Sequence, residues 1–209
     1  MIADHVSGQP FPDLSDQERS LLSRFDELLV ETTAHTNLIA NSTIADRFSR
    51  HYSDSLQLLP LIPDDARTLL DIGSGGGLPG IPLAIVASAR RPDLQLTLCE
   101  SIGKKANFLR TAIGELGLTN VSVENRRAES IERRFDVVSA RAVASLTKLL
   151  PIVRRRLTKG GLAILPKGQR AELELEEAKK EWRMNVERVT SHTDPNATIF
   201  LIRNLELCR

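Results

Sequence analysis

Between Thr68 and Gly80 the chain reads Thr68-Leu69-Leu70-Asp71-Ile72-Gly73-Ser74-Gly75-Gly76-Gly77-Leu78-Pro79-Gly80, an apolar strand that passes through a carboxylate straight into glycines. Lacking Cβ, Gly73, Gly75 and Gly77 let the backbone turn with positive φ and approach a ligand closely. Free N–H groups at the start of the next helix would face that ligand. This is the loop of a nucleotide-type cofactor, and it admits two registers. Gly75-x-Gly77-x-x-Gly80 fits the dinucleotide fingerprint, whose glycines directly follow the strand and whose pyrophosphate sits at a helix N-terminus. If the strand runs to Ile72, the first glycine after it is Gly73, and the pattern becomes apolar-apolar-Asp-x-Gly-x-Gly-x-Gly.

The second register resembles motif I of the S-adenosyl-methionine-dependent methyltransferases. That cofactor carries a cationic sulfonium and an amino group but no pyrophosphate. Asp71 suits such a ligand and would be unwelcome beside phosphates. Leu94-Gln95-Leu96-Thr97-Leu98-Cys99-Glu100 then alternates like a strand and ends in Glu100, one βαβ unit after the loop. An acid there binds ribose hydroxyls in either cofactor class. Asp71, Gly73, Gly75 and Glu100 are therefore candidate cofactor residues.

A chain of 209 residues holds one sizeable core with room for a small appended subdomain. Cys99 and Cys208 are the only cysteines and lack CxxC or Cys/His spacing, so neither a disulfide framework nor a metal site is indicated. Residues 1–14 lack the basic-then-apolar order of a signal peptide, and no run approaches the roughly 18 apolar residues of a membrane helix. A cytoplasmic protein without a membrane partner is expected. The net charge of +1 hides an asymmetry: residues 101–170 carry 15 Lys/Arg against 5 Asp/Glu. The cations cluster at Lys104-Lys105, Arg126-Arg127, Arg133-Arg134, Arg154-Arg155-Arg156 with Lys159, and Lys167 with Arg170. Clusters on the cofactor side of the sheet would suit the phosphates of a nucleic acid.

Ser15-Asp16-Gln17-Glu18 is a capping box, and Leu21, Leu22, Phe25, Leu28 and Leu29 share a face, so residues 15–31 should form an amphipathic helix. A second helix is expected from Thr43 to Leu59, with Pro60 and Pro63 marking the connection to the first strand. Residues 1–63 thus read as a helical cap and residues 64–209 as the core domain. Further along come helices at 81–89, 103–116 and 145–157, the last ending before Gly160-Gly161, and strands at 121–123, 135–139 and 162–165. Glu172 to Trp182 reads as a helix, and Val186–Thr190 with Thr198–Ile202 as an antiparallel hairpin. Alternation of strand and helix implies a mostly parallel α/β sheet covered on both faces.

The extension Leu78-Pro79-Gly80-Ile81-Pro82 narrows the resemblance. With the glycine loop before it, this stretch is similar to the signature of the bacterial small-subunit ribosomal RNA guanine-N7 methyltransferases, the RsmG family, formerly GidB. Asn37-Leu38, His51-Tyr52-Ser53-Asp54-Ser55, Gly103-Lys104-Lys105 with Phe108-Leu109-Arg110, Ser139 to Leu146, and Lys167-Gly168-Gln169 match in order. The resemblance spans about residues 20–170, and the last forty residues add little to it. It implies a Rossmann-like fold with a seven-stranded-type, mostly parallel sheet, S-adenosyl-L-methionine as cofactor, and 16S ribosomal RNA or the small ribosomal subunit as partner. It also implies that Gly73 and Leu78 line the cofactor pocket, that Ala128 and Glu129 meet the adenine end, and that Arg141 is a cofactor-site residue, here the candidate catalytic one. Arg141 also follows the fourth strand, at the sheet edge where ligands of such folds bind. There it could hold a cofactor carboxylate or an RNA phosphate, or pair structurally with Asp136 or Asp71. His51, Lys167, Lys104 and Lys105 are candidate RNA contacts, and a monomer is expected.

Before Asn37 the family carries aromatic residues where this chain has Thr32, Thr33 and Thr36, so RNA stacking relies on few rings or on arginine planes. N7 of guanine has a free lone pair, so methyl transfer to it needs no general base, and the sequence offers no Ser/His/Asp or Cys/His constellation. Two other functions share the same loop. One is an NAD(P)-dependent oxidoreductase using the Gly75, Gly77, Gly80 register; the other is a non-catalytic RNA-binding protein on a methyltransferase fold.

Overall fold

The computed structural model describes residues 14–40, 42 and 47–208. Helix α1 (Asp16–Thr33) starts at the expected capping box, in which the Ser15 hydroxyl accepts from the Glu18 N–H and Glu18 accepts from the Ser15 N–H. Its buried face carries Leu22, Phe25 and Leu29. The helix expected from Thr43 to Leu59 is different. Residues 43–46 lie outside the described residues, and from Phe48 the chain winds as a π-helical turn to Ser53, a short α2 (Asp54–Leu56) and a 3-10 turn (Leu59–Leu61) that holds Pro60. Wide π turns recur at functional sites, and this one carries His51.

The core alternates as expected: β1 (Thr68–Ile72), α3 (Gly80–Arg90), β2 (Gln95–Cys99), α4 (Gly103–Glu115), β3 (Val121–Glu124), β4 (Phe135–Ala140), α5 (Leu146–Arg156), β5 (Leu157–Lys167), α6 (Ala171–Lys179), β6 (Trp182–Thr190) and β7 (Thr198–Leu207). One seven-stranded sheet has the order β3-β2-β1-β4-β5-β7-β6. The pairs from β3 to β5 are parallel, whereas β7 runs antiparallel to both β5 and β6. The terminal hairpin is longer than expected but keeps the expected pairing, with Thr190 opposite Thr198 and Val186 opposite Ile202.

Two expectations at this end fail. Gly160-Gly161 does not precede the fifth strand but lies inside it, in an irregularity where the β4 to β5 register slips between Phe135 and Val137. Trp182 is not the end of a helix but the first residue of β6, because its ring is buried in the core while α6 has already ended at Lys179.

Apolar side chains cover both faces of the sheet. Leu69, Leu96, Leu98 and Val137 pack with α3, α4 and the N-terminal segment, and Leu70, Val138, Leu165 and Phe200 pack with α5 and α6. Leu22, Phe25, Leu29, Tyr52 and Leu56 belong to the first of these cores. The Phe25 ring meets Tyr52 edge-on at 6.0 Å and lies 6.4 Å from Phe108 of α4. Glu18, doubly bonded by Arg90 at 2.7 Å, fastens α1 to the end of α3. Among the described residues no helix is long and apolar enough to cross a membrane.

Candidate functional site

The C-terminal ends of the parallel strands face one edge, and the glycine loop closes over it. Gly73 N–H and Ser74 N–H both donate to the carbonyl of Cys99, at 2.8 and 3.1 Å, tying the loop to the end of β2. Gly73 has φ +67°, and a Cβ there would lie 2.6 Å from a Val143 methyl, so both conformation and space demand glycine. A Cβ on Gly76 would meet Leu29 at 3.1 Å and the Leu38 carbonyl at 3.2 Å, so the N-terminal helical segment rests directly on the loop. Leu78 is buried behind it.

Asp71 is 1% exposed. One carboxylate oxygen accepts from the Ser139 hydroxyl at 2.8 Å; the other, Oδ2, lies beside Gly80 and has no hydrogen-bond partner among the described residues. Burial pushes its pKa up to about 6, opposed by the Ser139 hydroxyl and the Arg141 charge. Glu100 is also buried. It accepts from Gly75 N–H at 2.9 Å and Ile102 N–H at 2.7 Å, so it props the loop open with both oxygens and keeps a second lone pair on each. Asn125 donates to the Glu100 carbonyl at 2.8 Å, and Ala128, buried, and Glu129, exposed, follow in a 3-10 turn. The Cys99 thiol, pushed up to about 12 by burial and donating to the Arg126 carbonyl, offers no thiolate near neutral pH.

Arg141 follows β4 directly. It forms an ion pair with Asp54 at 2.8 Å, and its charge also acts on Asp71. Asp136 is instead engaged by the Arg67 and Thr68 amides at 3.0 Å at the far end of the strand. The other oxygen of Asp54 accepts from Gln57 at 2.8 Å and from Thr193 at 2.9 Å. Three distant segments thus meet at one carboxylate: the turn after the π helix, the end of β4, and the loop joining β6 to β7. Asp26 steadies the first of these, receiving Arg47 at 2.6 and 2.9 Å and the Tyr52 hydroxyl at 3.1 Å.

A cleft of about 980 Å³ opens beside this junction, lined by His51, Asp54, Arg141, Lys167, Glu174 and Thr193 among others. Lys167 is mostly buried, paired with Glu174 at 3.0 Å and bonded to the Ala144 carbonyl at 2.6 Å. Lys104, exposed, and Lys105, half-buried, start α4 on the same edge. The basic clusters are split by the fold: Lys104-Lys105, Arg126-Arg127, Lys167 and Arg170 follow strand ends on the loop edge, whereas Arg133-Arg134, Arg154 to Arg156 and Lys159 lie where β4 and β5 begin, on the opposite edge.

The dinucleotide register does not fit this geometry. Helix α3 begins at Gly80, so Gly75 and Gly77 belong to a loop that has already turned at Gly73, and the seventh strand is reversed. Asp54, Gln57 and Thr193 carried no motif signal of their own; Asp54 stood inside the matched His51 to Ser55 segment without an assigned role.

A profile of the GidB family, described as rRNA small subunit methyltransferase G, matches residues 18–199. The chain is similar to the ribosomal RNA small subunit methyltransferase G of Ruegeria sp. (strain TM1040), 41% identical over 93% of this chain and 94% of that one. It is 38% identical to the protein of the same description from Caulobacter vibrioides (strain NA1000 / CB15N), over 100% and 95% of the two chains. Among solved structures, the fold is similar to a methyltransferase from Geobacter sulfurreducens, with TM-score 0.58, 13% identity and 93% of both chains covered. A SAM-dependent methyltransferase from Aquifex aeolicus superposes with TM-score 0.54 at 16% identity, over 77% of this chain and 92% of that one.

Proposed function

From its membership of the rRNA small subunit methyltransferase G family, we propose that this chain, an S-adenosyl-methionine-dependent 16S ribosomal RNA methyltransferase, modifies N7 of a guanine. The cofactor, when bound, supplies an electrophilic methyl group on a cationic sulfur. The residues at the loop edge suit such a ligand. Asp71 keeps an unpartnered buried oxygen for a cationic group, Glu100 has lone pairs to spare for ribose hydroxyls, and Gly73 and Gly75 admit close approach of the backbone. Leu78, Ala128 and Glu129 would enclose the remainder of the cofactor.

The observation that carries the reading is that Arg141 and Asp54 pair in the wall of the 980 Å³ cleft, while Val143 of the same segment packs against Gly73 of the glycine loop. In this reading the cleft admits the guanine, and Arg141, held by Asp54, aligns it against the methyl donor. Since N7 attacks with its own lone pair, the residues need only orient the two partners and exclude water. Alignment of that kind lowers a barrier by on the order of 7–11 kcal/mol at best. As the N7–methyl bond forms and the methyl–sulfur bond breaks, the positive charge would pass to the purine, where the Asp54 carboxylate in the cleft wall would offset it.

His51 and Lys167 would contact the RNA within the cleft, and Lys104 and Lys105 beside it. Action as a monomer is part of this reading, and the rRNA substrate supports a cytoplasmic setting. The proposed division into a substrate-side cap (1–63) and a cofactor-binding core (64–209) assigns His51 and Asp54 to the cap. Incubation with methyl-labelled cofactor and either small subunits or naked 16S RNA tests the function; absence of label on both, with no binding of S-adenosyl-homocysteine, would refute it.

A further inference from the structure

The opposite edge of the sheet, where β4 and β5 begin, carries a group of cations that the methyl-transfer site does not use. Arg154 and Arg155 end α5 exposed, Arg134 and Lys159 are exposed beside them, and Arg203 donates to the Gly160 carbonyl at 2.8 Å. Arg134 caps the Leu157 carbonyl at 2.8 Å. None of these side chains makes an ion pair within the described residues. Of the nearby acids, Asp136 is consumed by the Arg67 and Thr68 amides and the Thr68 hydroxyl.

Arg156 sets this patch apart from an ordinary solvated surface. It is 7% exposed, on the buried face of α5, yet its Nε and Nη1 have no hydrogen-bond acceptor among the described residues. Its neighbours Arg134 and Arg155 are also cationic, and with burial they pull its pKa below the usual guanidinium value, opposed by Glu132. Glu132 offsets only part of the like charge around this guanidinium, two of whose nitrogens lack an acceptor, and folding alone gives no reason to gather further cations beside it.

We propose that Arg134, Arg154, Arg155, Arg156 and Lys159 form a second RNA-binding surface that holds the phosphate backbone at the edge opposite the methyl-transfer site. It rests on the reading of the chain as a ribosomal RNA methyltransferase. Six-residue β4 separates the two edges by about 20 Å, so both contacts are compatible with one large folded RNA whose backbone passes along the protein flank. Recognition is of backbone charge, which makes binding at this surface dependent on salt.

The test is the salt dependence of 16S RNA binding by the full chain and by the R154A/R155A/K159A variant, all three positions being exposed and outside the site described above. Each lost phosphate contact removes about 0.7–0.9 from the slope of log K against log salt, so the slope should become shallower by roughly 2–3. Affinity near 0.15 M salt should fall at least tenfold, while S-adenosyl-homocysteine binding stays unchanged. A K179A/K180A control, removing two cations already paired to Glu176 and Glu177, should leave the slope nearly as it was. Equal slopes for the wild type and the triple variant would overturn the proposal, and would point to an acidic protein partner or to none. If the triple variant folds poorly, R154Q/R155Q serves, with an expected change of about 1.4–1.8. Wild-type methylation of the same RNA, measured alongside, separates failure of this surface from failure of the enzymatic reading.

Discussion

Replacing Asp71 by asparagine should make the protein progressively more stable than the wild type as the pH rises. The carboxyl is 1% exposed, and its pKa stands at about 6 in the folded chain against 3.8 for the unperturbed group. Below pH 3.8 both folded and unfolded forms hold the proton, and the group takes nothing from stability. Between 3.8 and 6 the unfolded chain releases the proton while the folded chain retains it, so wild-type stability falls with rising pH. Above 6 the loss is complete, at about 3 kcal/mol for a difference of roughly two units at 1.36 kcal/mol each. Asparagine keeps an oxygen for the Ser139 hydroxyl and carries no charge, so it escapes this loss. For a chain of this size about 1 kcal/mol moves Tm by roughly 2–4 °C, and the variant should gain roughly 6–12 °C on the wild type between pH 3 and pH 7.5. Differential scanning calorimetry of both proteins across that range measures it. Adding S-adenosyl-homocysteine, whose ammonium group would neutralise Asp71, should narrow the gap. Parallel Tm curves, or a wild type that gains on the variant with rising pH, would refute the reasoning.

Removing Arg141 should act on alignment and leave the fold intact. Arg141→Ala is expected to lower kcat/KM for methyl transfer by about 30- to 700-fold, the equivalent of roughly 2–4 kcal/mol for truncating one member of a desolvated pair, with an unchanged circular dichroism spectrum. Asp54→Asn keeps the acceptor for Thr193 and Gln57 but loses the ion pair, and should cost roughly 5- to 30-fold; Thr193→Val, which removes one neutral donor, should cost about fivefold. Turnover near the wild-type rate in all three would remove the junction from the mechanism. Phe200→Ala empties a fully buried site in β7 and should lower stability by about 3–5 kcal/mol, visible as a drop of roughly 6–20 °C in Tm.

What the sequence revealed and concealed follows from the range of the interactions. The strand ending at Ile72, the glycine turn, the capping box at Ser15 and the hairpin pairing of Val186 with Ile202 are local patterns, written in neighbouring residues, and they emerged as read. The π turn carrying His51 escaped because the periodicity from Thr43 to Leu59 is compatible with an ordinary helix. The reason β5 runs through Gly160-Gly161 is tertiary, since the irregularity is set against β4. Asp71 was legible as a carboxylate beneath a cofactor loop, but its burial and its bond to Ser139 depend on β4, 68 residues away. The junction of Asp54 with Arg141 and Thr193 was least visible of all. It joins positions separated by 87 and 139 residues, and its last member comes from the segment where the family resemblance was weakest. Net charge by region correctly marked residues 101–170 as basic, yet only the fold divides those cations between two opposite edges.

The most direct measurement is nucleoside analysis of 16S ribosomal RNA after reaction with the purified chain and methyl-labelled S-adenosyl-methionine. Digestion to nucleosides and mass spectrometry should show the label as 7-methylguanosine, at close to one methyl group per RNA and at a single mapped position, with strong loss in Arg141→Ala. Label on another atom or another nucleoside, or an RNA that stays unlabelled while the cofactor binds, would contradict the assignment of guanine N7 as the group this site methylates.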